Sequence, residues 1–263
     1  MNKTGPMTAP PPLVFVHGFA CDRTDWRAQV DALGSRTTVV AYELPGHGTI
    51  RATPAECTIG DYGAGLARTL RDLALPPAIL VGHSLGCRVV LETNRVHPEA
   101  VAGLVLVEDS RIAEDDPTAA RRAMADKLAG DRYEPFIREF FASMFFTSSD
   151  PVVAQAICDR AMRLPTDIGR ALMTDAAGWD AGEVEAALAR VAVPMLAIQS
   201  TTMDASLTRV PLTPGRSSPW LDLISARVPG TDIVIMSGPG HFVQIERPDE
   251  VTALIADFAF DRP

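Results

Sequence analysis

Ile79-Leu80-Val81-Gly82-His83-Ser84-Leu85-Gly86 decides the fold, because an apolar strand-type run (Pro77 to Val81) meets a helical run (Leu85 to Val96) with almost no loop between them. The residue at the middle of such a junction is forced to positive φ. Gly82 and Gly86 suit the turn because side chains there would collide with the neighbouring strand and helix. The result is Gly-x-Ser-x-Gly, which lifts the Ser84 hydroxyl clear of the sheet edge and over a helix N-terminus. Ser84 is therefore the candidate nucleophile.

A serine at its ordinary pKa is a poor nucleophile and needs a base and oxyanion donors. Of the five histidines, His241 stands in Ser237-Gly238-Pro239-Gly240-His241-Phe242, after the strand-like Asp232-Ile233-Val234-Ile235-Met236 and before a final helix, Pro248 to Phe258. A histidine at a strand's C-terminal end reaches into the crevice where α/β sheets bind ligands. Leu13-Val14-Phe15-Val16-His17-Gly18-Phe19 is another strand ending in a glycine turn. There the useful group is the backbone N–H of Phe19, which with that of Leu85 would hold a developing oxyanion, each worth about 3 kcal/mol. His17, His47 and His83 read as structural, and His97 as a residue at a helix C-terminus.

These residues carry a resemblance. His17-Gly18-Phe19, Glu43-Leu44-Pro45-Gly46-His47-Gly48, Gly82-His83-Ser84-Leu85-Gly86 and Gly240-His241-Phe242 arrive in the order seen in the α/β-hydrolase superfamily. The chain resembles its small bacterial esterase and C–C hydrolase members from about residue 13 to 260. The resemblance implies a serine–histidine–acid triad, no organic cofactor and no metal, and a helical cap over the site. The superfamily usually carries a β-hairpin ahead of the His-Gly turn, whereas a proline-rich dozen residues precede Leu13. The expected fold is thus α/β, a mostly parallel sheet of about six strands with flanking helices, lacking that hairpin. The acid commonly follows a later strand in a Gly-x-x-Asp pattern. Here Ser200-Thr201-Thr202-Met203-Asp204 has serine for the glycine and an aspartate one residue late. Asp204 is the first candidate, and Glu108, then Asp109, at the end of Leu104-Val105-Leu106-Val107 are the alternatives.

Composition agrees with one α/β domain. The 263 residues are 47% hydrophobic, enough for a core, and no run reaches the eighteen or so residues needed to span a bilayer. Met1 to Pro12 lacks an apolar segment of the secretory type. The net charge of −9 weighs against nucleic acid or an anionic membrane as the partner. Four scattered cysteines, Cys21, Cys57, Cys87 and Cys158, fit free thiols in a reducing cytoplasm better than a metal site. A small-molecule substrate and a monomer or homodimer are expected.

Strands are predicted at Leu13–Val16, Thr38–Glu43, Ala78–Val81, Leu104–Val107, Met195–Ile198 and Ile233–Met236. Helices are predicted at Thr24–Leu33, Ile59–Leu73, Leu85–His97 and Asp249–Phe258. The long interval between the fourth and fifth strands exceeds any ordinary loop. Its helical periodicity (Thr118 to Gly130, Tyr133 to Phe146, Pro151 to Leu164, Asp167 to Ala177) predicts a cap at 111–179, set into a core of 1–110 and 180–263. Arg209 to Pro219 reads as a Pro/Gly-rich loop. The cap stretch Phe136 to Phe146 carries five of the chain's ten phenylalanines. Its Phe140, Phe141, Met144 and Phe145, with Trp26 and Met203, are the candidate lining of an apolar pocket. No charged clamp for a substrate is evident from sequence, so a neutral, fairly apolar ester is expected. The same constellation serves C–C cleavage, lactone hydrolysis or acyl transfer. An intact serine, histidine and both turns weigh against a non-catalytic ligand receptor.

Overall fold

A computed structural model describes residues 9–112, 116–204 and 206–260. Part of the stretch on which the leader expectation rests, residues 1–8, lies outside them. In chain order the elements are β1 (Leu13–Val16), α1 (Arg27–Leu33), β2 (Val39–Tyr42), α2 (Ile59–Asp72), β3 (Ala78–His83), α3 (Leu85–Val96), β4 (Val101–Val107), α4 (Pro117–Lys127), α5 (Tyr133–Ala142), α6 (Pro151–Ala161), α7 (Thr166–Gly182), α8 (Val184–Ala189), β5 (Met195–Gln199), β6 (Thr201–Met203), β7 (Arg209–Pro211), α9 (Pro219–Arg227), β8 (Asp232–Ile235), α10 (Val243–Glu246) and α11 (Pro248–Phe260). Six strands form one parallel sheet in the order β2-β1-β3-β4-β5-β8.

Why the central strands read as unbroken apolar runs follows from their two covered faces. Leu13 and Phe15 of β1 join Ile79, Val81, Val105 and Val107 in a cluster under α1 and α11. Val14 and Val16 face the other way, joining Leu80, Leu104 and Leu106 under α2, α3 and helices that follow β4. This period of two, sandwiched by helices, is the helix-flanked parallel sheet expected from the sequence. Strand order reverses between β1 and β3, since β2 lies on one side of β1 and the later strands on the other. A crevice opens at the C-terminal ends of strands at such a switch point, which is where Gly18 and Ser84 fall.

Helices α4 to α8 occupy the interval between β4 and β5. Asp116 and Asp150 each cap a helix that begins with proline, accepting from the next free N–H groups at 2.8–3.4 Å. Helix α4 packs along α7, and α5 meets both α6 and α7. The last turn of α7 runs past residue 179 to Gly182, and Asp180 within it is anchored to the sheet-covering helix α3 through Arg88. One element was absent from the sequence reading. Strands β6 and β7 form a two-stranded antiparallel sheet, pairing Met203 with Arg209. None of the described helices is long and apolar enough to cross a membrane.

Candidate active site

Ser84 sits between β3 and α3 with φ +53° and ψ −117°. A Cβ on Gly82 would lie 2.5 Å from the Gly86 carbonyl, and one on Gly86 would run into the Val16 and His17 carbonyls. Neither position accepts a side chain, which is why the turn can be this tight. The Ser84 amide is tied to the Val107 carbonyl at 2.9 Å, so the strained residue is held from β4. Leu85 is the first residue of α3, and its N–H therefore has no partner within the helical ladder. Phe19 follows β1 beside it, and a Cβ on Gly18 would come within 3.3 Å of the Ser84 Cβ. Phe19 and Leu85 line one cavity with Ser84 and His241.

The loop carrying Phe19 is braced by two histidines. His17 Nδ1 meets the Gly18 carbonyl at 2.8 Å, and its Nε2 accepts from the Leu44 amide at 3.1 Å. His47 Nε2 accepts from the Ala20 amide at 3.2 Å, and burial pulls its pKa down to about 3. His83 donates to the His241 carbonyl at 2.9 Å, while His97 lies near Glu99 away from the cavity. The Cys87 thiol, buried and raised in pKa by burial, donates to the Gly82 carbonyl at 3.1 Å.

His241 follows β8 on its glycine loop. Its amide donates to the Met144 carbonyl just past α5 at 2.8 Å, and its Nδ1 faces Glu108 Oε2 at 3.4 Å. Burial and the Arg209, His83 and Arg88 charges hold the imidazole well below its usual pKa, which keeps it neutral. Glu108 ends β4 at φ +57°, a left-handed conformation rare for a residue with a side chain. Its carboxylate is buried and accepts from the Ser200 amide and from Thr201 Oγ1 at 2.5 Å. Burial pushes its pKa up to about 7, against the pull of Arg209 and those donors. Ser200 Oγ in turn donates to the Gly240 carbonyl at 2.8 Å, binding the acid's platform to the histidine's loop.

Of the three acids considered from sequence, the structure brings Glu108 to His241. Asp204 is exposed and spent on its own turn, where Oδ1 accepts from the Ser206 amide and hydroxyl and the Thr208 amide at 2.6–3.0 Å. The reason is local: a carboxylate that can close the β6–β7 turn does so before it can reach a residue across the sheet. Asp109 is buried but turned to Arg88 Nη1 at 3.0 Å and to the Ser110 amide at 2.7 Å.

Phe140, Phe141, Met144 and Met203 line the cavity, joined by Ile112, Met173 and Phe242. Two expected lining residues do not. Trp26 is wholly buried, its ring 4.9 Å from Phe15 and edge-on to His83, under the sheet's other face. Phe145 stacks on Phe242 at 5.3 Å behind the wall. Two arginines in the lining were missed. Arg88 on α3 is saturated by Asp180, Asp109 and the Ser110 carbonyl at 2.6–3.0 Å. Arg209 reaches Thr201 Oγ1 at 3.3 Å and His241 Nε2 at 3.5 Å, and its Nε has no hydrogen-bond partner among the described residues. A three-residue strand inside a proline-rich stretch gives no periodic signal, so only the Asp-x-Ser-x-Thr turn before it hinted at a hairpin.

The Alpha/beta hydrolase family matches over residues 13–254. The dihydrolipoyllysine-residue acetyltransferase component of the acetoin cleaving system of Cupriavidus necator is 22% identical over 246 residues, 92% of this chain. The chain spans 62% of the length of that relative. The pimeloyl-(acyl-carrier protein) methyl ester esterase of Aromatoleum aromaticum is 28% identical over 260 residues, covering 94% of this chain and 97% of that protein. Among solved structures, a thermophilic esterase from Thermogutta terrifontis superposes with a TM-score of 0.76 at 24% identity, covering 94% of this chain and 89% of that one.

Proposed function

This chain belongs to the Alpha/beta hydrolase family, and on that premise we propose that it is a serine hydrolase cleaving a small carboxylic ester through an acyl-enzyme on Ser84. The observation that carries the reading is the buried contact of Glu108 with His241, which lines the same cavity as Ser84. In this proposal His241 Nε2 takes the Ser84 proton as Oγ attacks the ester carbonyl. The Phe19 and Leu85 amides receive the oxyanion, and Glu108 steadies the imidazolium at Nδ1. The imidazolium then gives its proton to the departing alcohol. Water enters, loses a proton to His241 and attacks the acyl carbon, releasing the acid and restoring Ser84. These steps call on no metal or organic cofactor, and the partner is a small molecule, acted on by a monomer or homodimer. Phe140, Phe141, Met144 and Met203 suit an apolar portion of the substrate.

Intact-mass labelling with a fluorophosphonate tests the reading without a guess at the substrate. Wild type should gain one adduct and Ser84→Ala none, with ester turnover falling at least about a thousandfold in the variant. A folded wild type that takes no adduct would instead favour a ligand receptor on the same scaffold.

A further inference from the structure

We propose that Arg209 recognises a carboxylate on the substrate, so that the ester cleaved here is itself an anion. This rests on the serine-hydrolase reading and narrows its substrate class, and it replaces the neutral ester expected from sequence.

Arg209 opens β7 and is 4% exposed. Its two side-chain contacts, with Thr201 Oγ1 and His241 Nε2, are long, and its Nε has no partner among the described residues. Glu108 and Asp109 act on it through space. Neither lies within ion-pair reach, and both have donors elsewhere: Ser200, Thr201 and His241 for Glu108, Arg88 and Ser110 for Asp109. A buried guanidinium left this way is unfavourable, and burial accordingly pulls its pKa down to about 10. Arg88 in the same lining shows the alternative, a buried arginine with two carboxylates supplied by the protein. The cavity beside Arg209 is walled by Phe140, Met144 and Met203, so an incoming carboxylate meets in apolar surroundings the lining arginine that has no ion pair among the described residues, Arg88 being held by Asp109 and Asp180. The planar fork of a guanidinium matches a carboxylate's two oxygens.

The position has a chemical consequence. A cation 3.5 Å from Nε2 opposes formation of the imidazolium that catalysis requires. A carboxylate seated on Arg209 cancels that opposition, so an anionic ester is turned over faster as well as bound more tightly. A neutral ester leaves the penalty in place.

The test compares three aryl esters of matched size: one with a neutral acyl chain, one whose acyl chain ends in a carboxylate, and one with the carboxylate on the aryl alcohol. Wild type should favour one carboxylate ester over the neutral ester by at least about tenfold in kcat/KM, and which one identifies the side that Arg209 reads. Arg209→Met should erase the preference and Arg209→Lys should restore part of it. For the neutral ester, the acid limb of kcat/KM should move to higher pH in Arg209→Met. There His241 keeps Glu108 at Nδ1, His83 at its carbonyl and Arg88 further off, and loses the cation at Nε2. An unmoved limb, or a preference that survives in Arg209→Met, overturns the proposal and leaves Arg209 as a brace for the hairpin. Should that variant not fold, wild type decides alone, since equal rates on all three esters overturn it too. Failure here leaves fluorophosphonate labelling and neutral-ester cleavage intact, whereas failure of the serine-hydrolase reading removes both.

Discussion

Glu108 follows a strand of the six-stranded sheet and Asp204 a strand of the separate hairpin, and their carboxylates do opposite work. Glu108 ends β4 inside the protein, in a left-handed conformation that turns its side chain under the histidine loop. Asp204 lies at an exposed hairpin tip, where Ser206 and Thr208 hold its pKa below the usual carboxylate range. An acid serves a histidine when the fold converges donors on it and excludes water. An acid with donors two and four residues away serves its own turn. Asp109 supplies a third case: as buried as Glu108 and adjacent to it, but directed to Arg88. Alternation along the chain end sends one acid toward the site and the next toward a structural ion pair.

The comparison is most sharply strained by Glu108→Gln. A glutamine can present N–H to Nδ1 and favour the wrong imidazole tautomer, so kcat should fall by roughly 10³–10⁴. Steady-state hydrolysis of an aryl ester reads this, with circular dichroism to confirm folding. Arg88→Met probes the neighbouring acid. It leaves Asp109 and Asp180 buried without their cation and should lower unfolding stability by about 3–5 kcal/mol, measured in denaturant. Neutral-ester activity of the folded fraction should change far less than in Glu108→Gln. Asp204→Asn is the smallest change, since asparagine can still accept in the turn, and kcat/KM should stay within about twofold.

What sequence revealed follows the range of the interactions involved. The serine turn depends on residues within four positions of Ser84, and the strands on apolar runs that a doubly covered sheet requires, so both could be read directly. The helices between β4 and β5 announced themselves through their periodicity, and two of them begin at Asp116-Pro117 and Asp150-Pro151. Strand ends moved by a few residues, as with β4, which starts at Val101. The acid was harder, because Glu108 meets a histidine 133 positions away and nothing local separates it from a helix cap. Trp26 was misplaced for a similar reason: its nearness in sequence to the His17-Gly18 turn says nothing about which face of the sheet it covers. Arg209 is 32 positions from His241 and rides on a three-residue strand, too short for any pattern.

The most direct test of the account is the ratio of kcat/KM between Glu108→Gln and Asp204→Asn on one aryl ester, both variants shown to be folded. The account predicts a ratio of roughly 10⁻³ or lower, since the first variant loses the acid that faces His241 and the second only adjusts a surface turn. A ratio near or above one would place the acid of the triad on the hairpin and contradict the assignment of Glu108.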